Sequence, residues 1–283
     1  MEARGPKLFR IFRLPGDFYS EKFKHTFEPE FLYTYRSKVE AFDSLPSFDY
    51  SDKYTGTNQI RYGLSNIIHA KRMGPAGKLV THELFSWRLS QTYYFDISQN
   101  PAQFDPAYYS ATFEQGRGGL SHQSPIQSNL SLRPTLRSSV SINNEYNPDF
   151  KQFTSISVNG RMNQPRVVLQ GGWSRGLRLA QDVAKRQPLF NTLRGSGRLV
   201  LWPERLSVDG SVAYDLLKKT MLQVTTRVHY GIQCCGFAVE RVNYNTRYRK
   251  ESKITFSIEL AGIGSIGSFL GDNPANQKNA GRK

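Results

Sequence analysis

Apolar and aromatic residues recur at alternate positions along most of the chain, with polar residues between them. Phe23, His25, Phe27, Pro29, Phe31, Tyr33 and Tyr35 share one parity, and Lys22, Lys24, Thr26, Glu28, Glu30, Leu32, Thr34 and Arg36 hold the other. Side chains two residues apart point to the same face of an extended strand, so this rhythm predicts strands with one apolar and one polar face. Ile60, Tyr62, Leu64 and Ile68 alternate with Gln59, Arg61, Gly63 and Ser65. Phe85, Trp87, Leu89, Tyr93 and Phe95 alternate with Ser86, Arg88, Ser90 and Thr92. The second half continues with Leu130/Leu132, with Leu136/Val140/Ile142 against Arg137/Ser139/Ser141, and with Leu206/Val208/Val212/Tyr214. Leu222/Val224/Val228/Tyr230 and Ile254/Phe256/Ile258/Leu260 close the series. Between them, Phe237/Val239 give way to Val242/Tyr244, a change of parity that predicts a β-bulge.

The pattern predicts about twelve strands, many near the ~9–11 residues of a tilted membrane strand rather than the ~5–6 common in soluble sheets. Their connections differ in length. Pro134, Asn147-Pro148-Asp149, Asn163-Gln164-Pro165 and Pro203-Glu204-Arg205 predict tight turns, and long polar loops are expected at 37–57, 96–123 and 176–188. Short turns with longer loops, and tyrosine or phenylalanine near strand ends, are the habit of transmembrane β-barrels. The expected fold class is therefore all-β, an antiparallel transmembrane β-barrel of about twelve strands. The rival all-β reading, a soluble antiparallel sandwich, also alternates but favours shorter strands.

Composition agrees. The chain has 283 residues, of which 38% are apolar and 13% aromatic. No apolar stretch approaches the ~20 residues of a spanning helix, and the aromatic content opposes disorder. Alternation hides the hydrophobicity of a barrel inside a polar average. The net charge of +15 suggests an acidic partner. The cations are dispersed, and no helix-turn-helix, zinc-finger or RNA-binding pattern is present, so nucleic acid is not expected. Met1–Pro6 has no apolar core of a secretory signal, so a protein acting beyond the inner membrane would be a mature or truncated piece.

Candidate chemistry is sparse. No cofactor or metal site is expected, because no Cys-x-x-Cys or second ligand cluster occurs. The histidines His25, His82 and His229 read as polar strand residues, and Gly195-x-Gly197 does not open a helix. No Gly-x-Ser-x-Gly occurs, and the chain is not expected to be an enzyme. The only thiols are the adjacent Cys234 and Cys235. Neighbouring side chains on a strand diverge, which opposes a bond between them. Two readings stay open: small apolar strand residues, or thiols whose partners lie elsewhere.

Several segments resemble one family in their order along the chain. Lys24–Tyr35 resembles the "H-x-(I/F)-E-P-x-x-x-Y-x-Y" strand of the lipopolysaccharide-assembly outer-membrane proteins (LptD), and Leu45-Pro46-Ser47-Phe48-Asp49 is similar to the loop after it. Asn58–Asn66 resembles the next strand, and Leu89–Asp96 the family's "Q-x-Y-Y-F" segment. Tyr230–Val239 resembles the strand that carries vicinal cysteines, and Phe256–Gly264 the closing strand.

The resemblance implies a chain that works in the outer membrane of a Gram-negative cell and inserts lipopolysaccharide into the outer leaflet. It implies as partners lipopolysaccharide, a plugging outer-membrane lipoprotein of the LptE type, a periplasmic bridge protein of the LptA type, and the barrel-assembly machinery. It also implies that Cys234 and Cys235 bond to cysteines of a periplasmic domain outside these residues. The family's barrel has about twice the strands counted here, so the chain reads as the C-terminal part of a larger barrel. A lead-in segment is expected at 1–20, the barrel region at 21–265 and a flexible tail at 266–283. Arg61, Arg88 and Arg137 are candidate lumen-facing contacts for lipopolysaccharide phosphates, which arginine binds well. The alternative function is a small outer-membrane porin or passive channel.

Overall fold

The computed structural model describes residues 2–14, 22–37, 56–73, 77–96, 122–178, 187–232, 234–245, 250–260 and 264–266. Among them the chain forms fifteen strands and no helix. These are β1 (Glu2–Arg4), β2 (Leu8–Arg13), β3 (Lys22–Arg36), β4 (Thr57–Met73), β5 (Leu79–Tyr94), β6 (Ile126–Thr135), β7 (Ser138–Asn147) and β8 (Gln152–Asn163). They continue as β9 (Val167–Leu177), β10 (Pro188–Trp202), β11 (Leu206–Asp215), β12 (Thr220–Gly231), β13 (Cys235–Asn245), β14 (Lys250–Leu260) and β15 (Gly264–Ile266). The chain divides into two compact units. One holds Met1–Arg161 and Gly172–Asn191, the other Met162–Gly171 and Thr192–Lys283.

In the first unit β3 pairs antiparallel with β4, β4 with β5, β5 with β6 and β6 with β7. In the second, β10 through β15 pair antiparallel in chain order. Each of these strands thus meets its neighbours in sequence, the up-and-down order of an antiparallel meander.

The predicted faces hold in both units. In the first, Thr26, Ser65, His82, Ser86 and Thr154 are buried, while Phe31, Tyr35, Trp87, Leu132 and Phe153 are exposed. In the second, Ser207, Glu240 and Ser257 are buried, while Leu199, Val228, Phe237, Val239 and Phe256 are exposed, Phe256 by 70%. A soluble sandwich would show the reverse, since it drives the apolar face inward. This polarity suits a sheet whose outer face meets hydrocarbon and whose inner face meets water.

The turns follow from short polar side chains. Asn147 Oδ1 accepts from the Asp149 and Phe150 amides at 3.0 and 3.2 Å, and Lys151 closes the turn at φ 49°. Asp215 Oδ1 accepts from the Leu217 and Lys218 amides at 2.9 and 3.1 Å, and Lys219 takes φ 52°. Both are Asx turns in which a side chain replaces a ladder partner. Between β10 and β11 the Arg205 amide donates to Trp202 O at 3.0 Å, across Pro203 and a left-handed Glu204 at φ 62°. That is the chemistry of a tight turn with proline first and a positive φ second.

Two expectations are corrected, the Pro134 turn and the bulge near Val242, and the first segment gains strands. The 1–20 lead-in contains β1 and β2, which pair with β3 on the side away from β4. Their break falls opposite Pro29. The register moves from Arg4↔Glu30 to Leu8↔Phe27, and the Gly5 amide donates to Pro29 O at 3.0 Å. Proline has no amide to offer there, and a bulge is where a strand tolerates one. Only glycine can come so close, because a Cβ on Gly5 would lie 2.7 Å from Pro29 O.

Pro134 does not make the β6–β7 turn. It lies in β6, where the register shifts between Leu132 and Thr135, and the turn is Leu136-Arg137. The bulge expected near Val242 is also absent, since β13 keeps one register with both β12 and β14 from end to end. Val242 is an apolar residue on the buried face, and its exposed neighbour Arg241 supplies the polar position outside. Most of the loops expected at 37–57 and 96–123, the centre of the 176–188 loop, the Leu45–Asp49 motif and nearly all of the 266–283 tail lie outside the described residues.

Candidate functional site

The candidate sites are the polar face of the strands within each unit and, in the second unit, the turn that carries the cysteines. The strongest feature in the second unit is a row of charges at one level across four strands. Arg198 of β10 stands opposite Asp209 of β11, which faces Arg227 of β12, which faces Glu240 of β13. Positive and negative side chains alternate along the row, and opposite charges on facing strand positions stabilise a sheet.

Arg227 Nε donates to Glu240 Oε2 at 2.8 Å, and its Nη2 reaches the same oxygen. Glu240 is only 1% exposed, so its charge is compensated by a fork of charge-assisted hydrogen bonds. Arg198 Nε lies 3.7 Å from Asp209 Oδ1, and its Nη2 donates to Ser207 Oγ at 3.3 Å. A neighbouring row runs Ser207, His229, Ala238 and Ser257. His229 Nε2 lies 3.8 Å from Glu259 Oε2, with Gly236 between the two strands that carry them.

The first unit presents hydroxyls, amides and separate cations. Arg61 and Arg88 both share the face of buried Ser65 and Ser86. Arg61 stands opposite Thr92 and donates to Ser90 Oγ at 3.2 Å, whereas Arg88 stands opposite Ser65 and Asn129. The two arginines occupy different levels and the structure does not bring them together. Arg137 is in the β6–β7 turn instead of on the wall, where its amide donates to Thr135 Oγ1 at 3.2 Å.

His25 and His82 of the first unit are held by the scaffold. His25 Nε2 lies 3.2 Å from Asn66 Oδ1, and His82 Nε2 lies 2.5 Å from the Arg133 carbonyl oxygen. Both act as strand-to-strand links.

Cys234 lies exposed in the β12–β13 connection and Cys235 begins β13. Their sulfurs are 2.9 Å apart as free thiols. The backbone around them is closed by Ile232 N to Cys235 O at 2.7 Å, and by Gly231 N to Arg205 O at 2.6 Å from the adjacent turn. The cysteines therefore sit at a sheet end beside Pro203-Glu204-Arg205, accessible from that end.

The charge row was not anticipated from the sequence. Arg198, Asp209, Arg227 and Glu240 each occupy the polar parity, but their convergence depends on the register of four strands. A carboxylate and an arginine thirteen residues apart across a hairpin are the one signal present in the sequence itself.

An antiparallel all-β wall, apolar on its exposed face and charged on its covered face, belongs to the class of outer-membrane β-barrels. The family model LptD, LPS transport system D, matches residues 11–220, and the chain belongs to that family. None of the curated proteins matches. Among solved structures, the triple mutant of Rhodopseudomonas blastica porin is similar at 5% identity over 94% of this chain and 93% of that one, with a TM-score of 0.36. Another mutant of the Rh. blastica porin is 6% identical over 93% and 90%, with a TM-score of 0.35. The family model carries the assignment.

Proposed function

We propose that this chain forms the membrane wall of a lipopolysaccharide transporter and delivers lipopolysaccharide to the outer leaflet of the Gram-negative outer membrane. The match of residues 11–220 to the family carries this reading. The wall supports it with an apolar face for the bilayer and a polar face rich in hydroxyls and arginines for a phosphorylated, glycosylated cargo. Its expected partners are a plugging lipoprotein, a periplasmic bridge protein and the barrel-assembly machinery. Arg61 and Arg88 are proposed to meet lipopolysaccharide phosphates from the polar face. Arg137, in its turn, would meet them only at the sheet end.

The test is depletion of the protein in the cells that make it, followed by measurement of lipopolysaccharide at the cell surface. Loss of surface lipopolysaccharide with its accumulation behind the outer membrane is expected. Normal surface lipopolysaccharide with reduced uptake of small solutes would overturn the reading in favour of a passive channel.

A further inference from the structure

The outer face of the second unit carries a cation that the charge row does not use. Arg241 of β13 is exposed on the same face as Phe237 and Val239. Its facing residues are Thr226 of β12 and Ile254 of β14, and no described side chain pairs with it. One level towards the cysteine turn the face is wholly apolar: Leu199, Val208, Val228, Val239 and Phe256. One level the other way it reads Gly195, Val212, Val224, Asn243 and Ser252. The apolar band therefore ends at Val239 on β13 but continues past that level to Val224 on β12 and Val212 on β11. Arg241 stands on the boundary, and its level enters the band strand by strand towards β10. A slanted boundary is what strands tilted in a bilayer produce.

We propose that this level seats one molecule of lipopolysaccharide from the surrounding leaflet, with a lipid A phosphate on Arg241 and one acyl chain lying over Thr226 and Gly210 as far as Leu169, which covers Gly197. This rests on the outer-membrane reading above, and it concerns the outer face instead of the transport path. Charge complementarity selects the phosphate. An arginine at the edge of hydrocarbon gains most from an anion at the same depth, and its planar fork suits phosphate oxygens. The open track runs two strand spacings from β13 to β11, about 10 Å, and Leu169 closes its far end, its Cδ2 3.1 Å from where a Gly197 Cβ would stand. Gly210 leaves the floor open, because a Cβ there would meet nothing nearer than Thr225 O at 3.9 Å.

The test uses the full chain in phosphatidylcholine nanodiscs doped with lipid A, or in a second arm with phosphatidylglycerol. The lipid retained on extraction is counted by native mass spectrometry. Wild type is expected to retain lipid A in preference to phosphatidylglycerol. Arg241→Gln should lower that retention about tenfold, and Asn243→Gln should leave it unchanged. Gly210→Val keeps the charge and fills the floor, and it should also lower retention, so the proposal does not hang on one variant. Wild-type retention in both Arg241→Gln and Gly210→Val, or equal retention of phosphatidylglycerol, would overturn it. In cells Arg241→Gln should still deliver lipopolysaccharide to the surface, so failure of the seat is separable from failure of the transport reading.

Discussion

Arg227 and Glu240 lock β12 to β13 through two hydrogen bonds to a single carboxylate oxygen on the polar face. Removing one partner strands the other charge where it is buried. Glu240→Ala is expected to destabilise the folded protein by about 3–5 kcal/mol, whereas Arg227→Met with Glu240→Met should recover most of the loss. Urea unfolding of the protein in detergent micelles measures both. Equal losses in the single and double variants would show that the pair contributes packing volume and not charge compensation.

The two faces of β14 should respond oppositely to substitution. Phe256 and Ile258 are exposed on the apolar face, and Ser257 between them is buried with an unpaired hydroxyl. Phe256→Arg is expected to cost about 1–3 kcal/mol in a bilayer, because it puts a charge inside the apolar band, one level from its edge. Ser257→Ala removes an unsatisfied polar atom and should be neutral or slightly stabilising. Unfolding in lipid vesicles tests the pair. A smaller penalty for Phe256→Arg than for Ser257→Ala would mean that the assignment of faces is reversed.

Glycines give a third contrast. A Cβ on Gly63 would lie 2.9 Å from the Leu89 carbonyl oxygen of the neighbouring strand, whereas one on Gly160 meets nothing within 4 Å. Gly63→Ala should therefore push β4 from β5 and cost about 1–3 kcal/mol. Gly160→Ala should gain about 0.4–1 kcal/mol by restricting the unfolded chain. Thermal loss of the compact gel band, compared across the two variants and wild type, reads the order. Equal midpoints would show that β4 and β5 yield at no cost.

The sequence was most legible where one face was consistently apolar. Phe237/Val239 and Ile254/Phe256/Ile258 announced their exposed face by parity alone. β2 was missed because Leu8-Phe9-Arg10-Ile11-Phe12 is apolar on both parities, so alternation had nothing to report. Val242 looked like a bulge because polarity changes sides at the membrane boundary while the strand runs straight. Pro134 looked like a turn because proline is punctuation in most contexts, and a bulge is the exception that admits it into a strand. The charge row stayed hidden because parity places each member on a face but does not give its level. Only the ladder registers set Arg198, Asp209, Arg227 and Glu240 side by side.

The last prediction concerns Cys234 and Cys235. Their sulfurs touch as thiols at 2.9 Å, well beyond the ~2.05 Å of a disulfide. Cys234 is exposed at the sheet end beside the Pro203-Glu204-Arg205 turn, where a segment from outside the sheet can reach it. An oxidising envelope would make such exposed thiols available for bonding. Both are therefore expected to bond to cysteines outside these 283 residues in the envelope protein. Non-reducing electrophoresis of protein from intact cells, with Cys234→Ser, Cys235→Ser and the double variant, tests this. Each single variant should keep one oxidised linkage, and the double variant should lose the oxidised band. Stability should change little in either single variant, because neither sulfur fills an enclosed apolar site. An oxidised band that survives in the double variant would show that the linkage runs through other cysteines. A clear loss of stability in either single variant, with no change in the band, would instead assign the pair to packing.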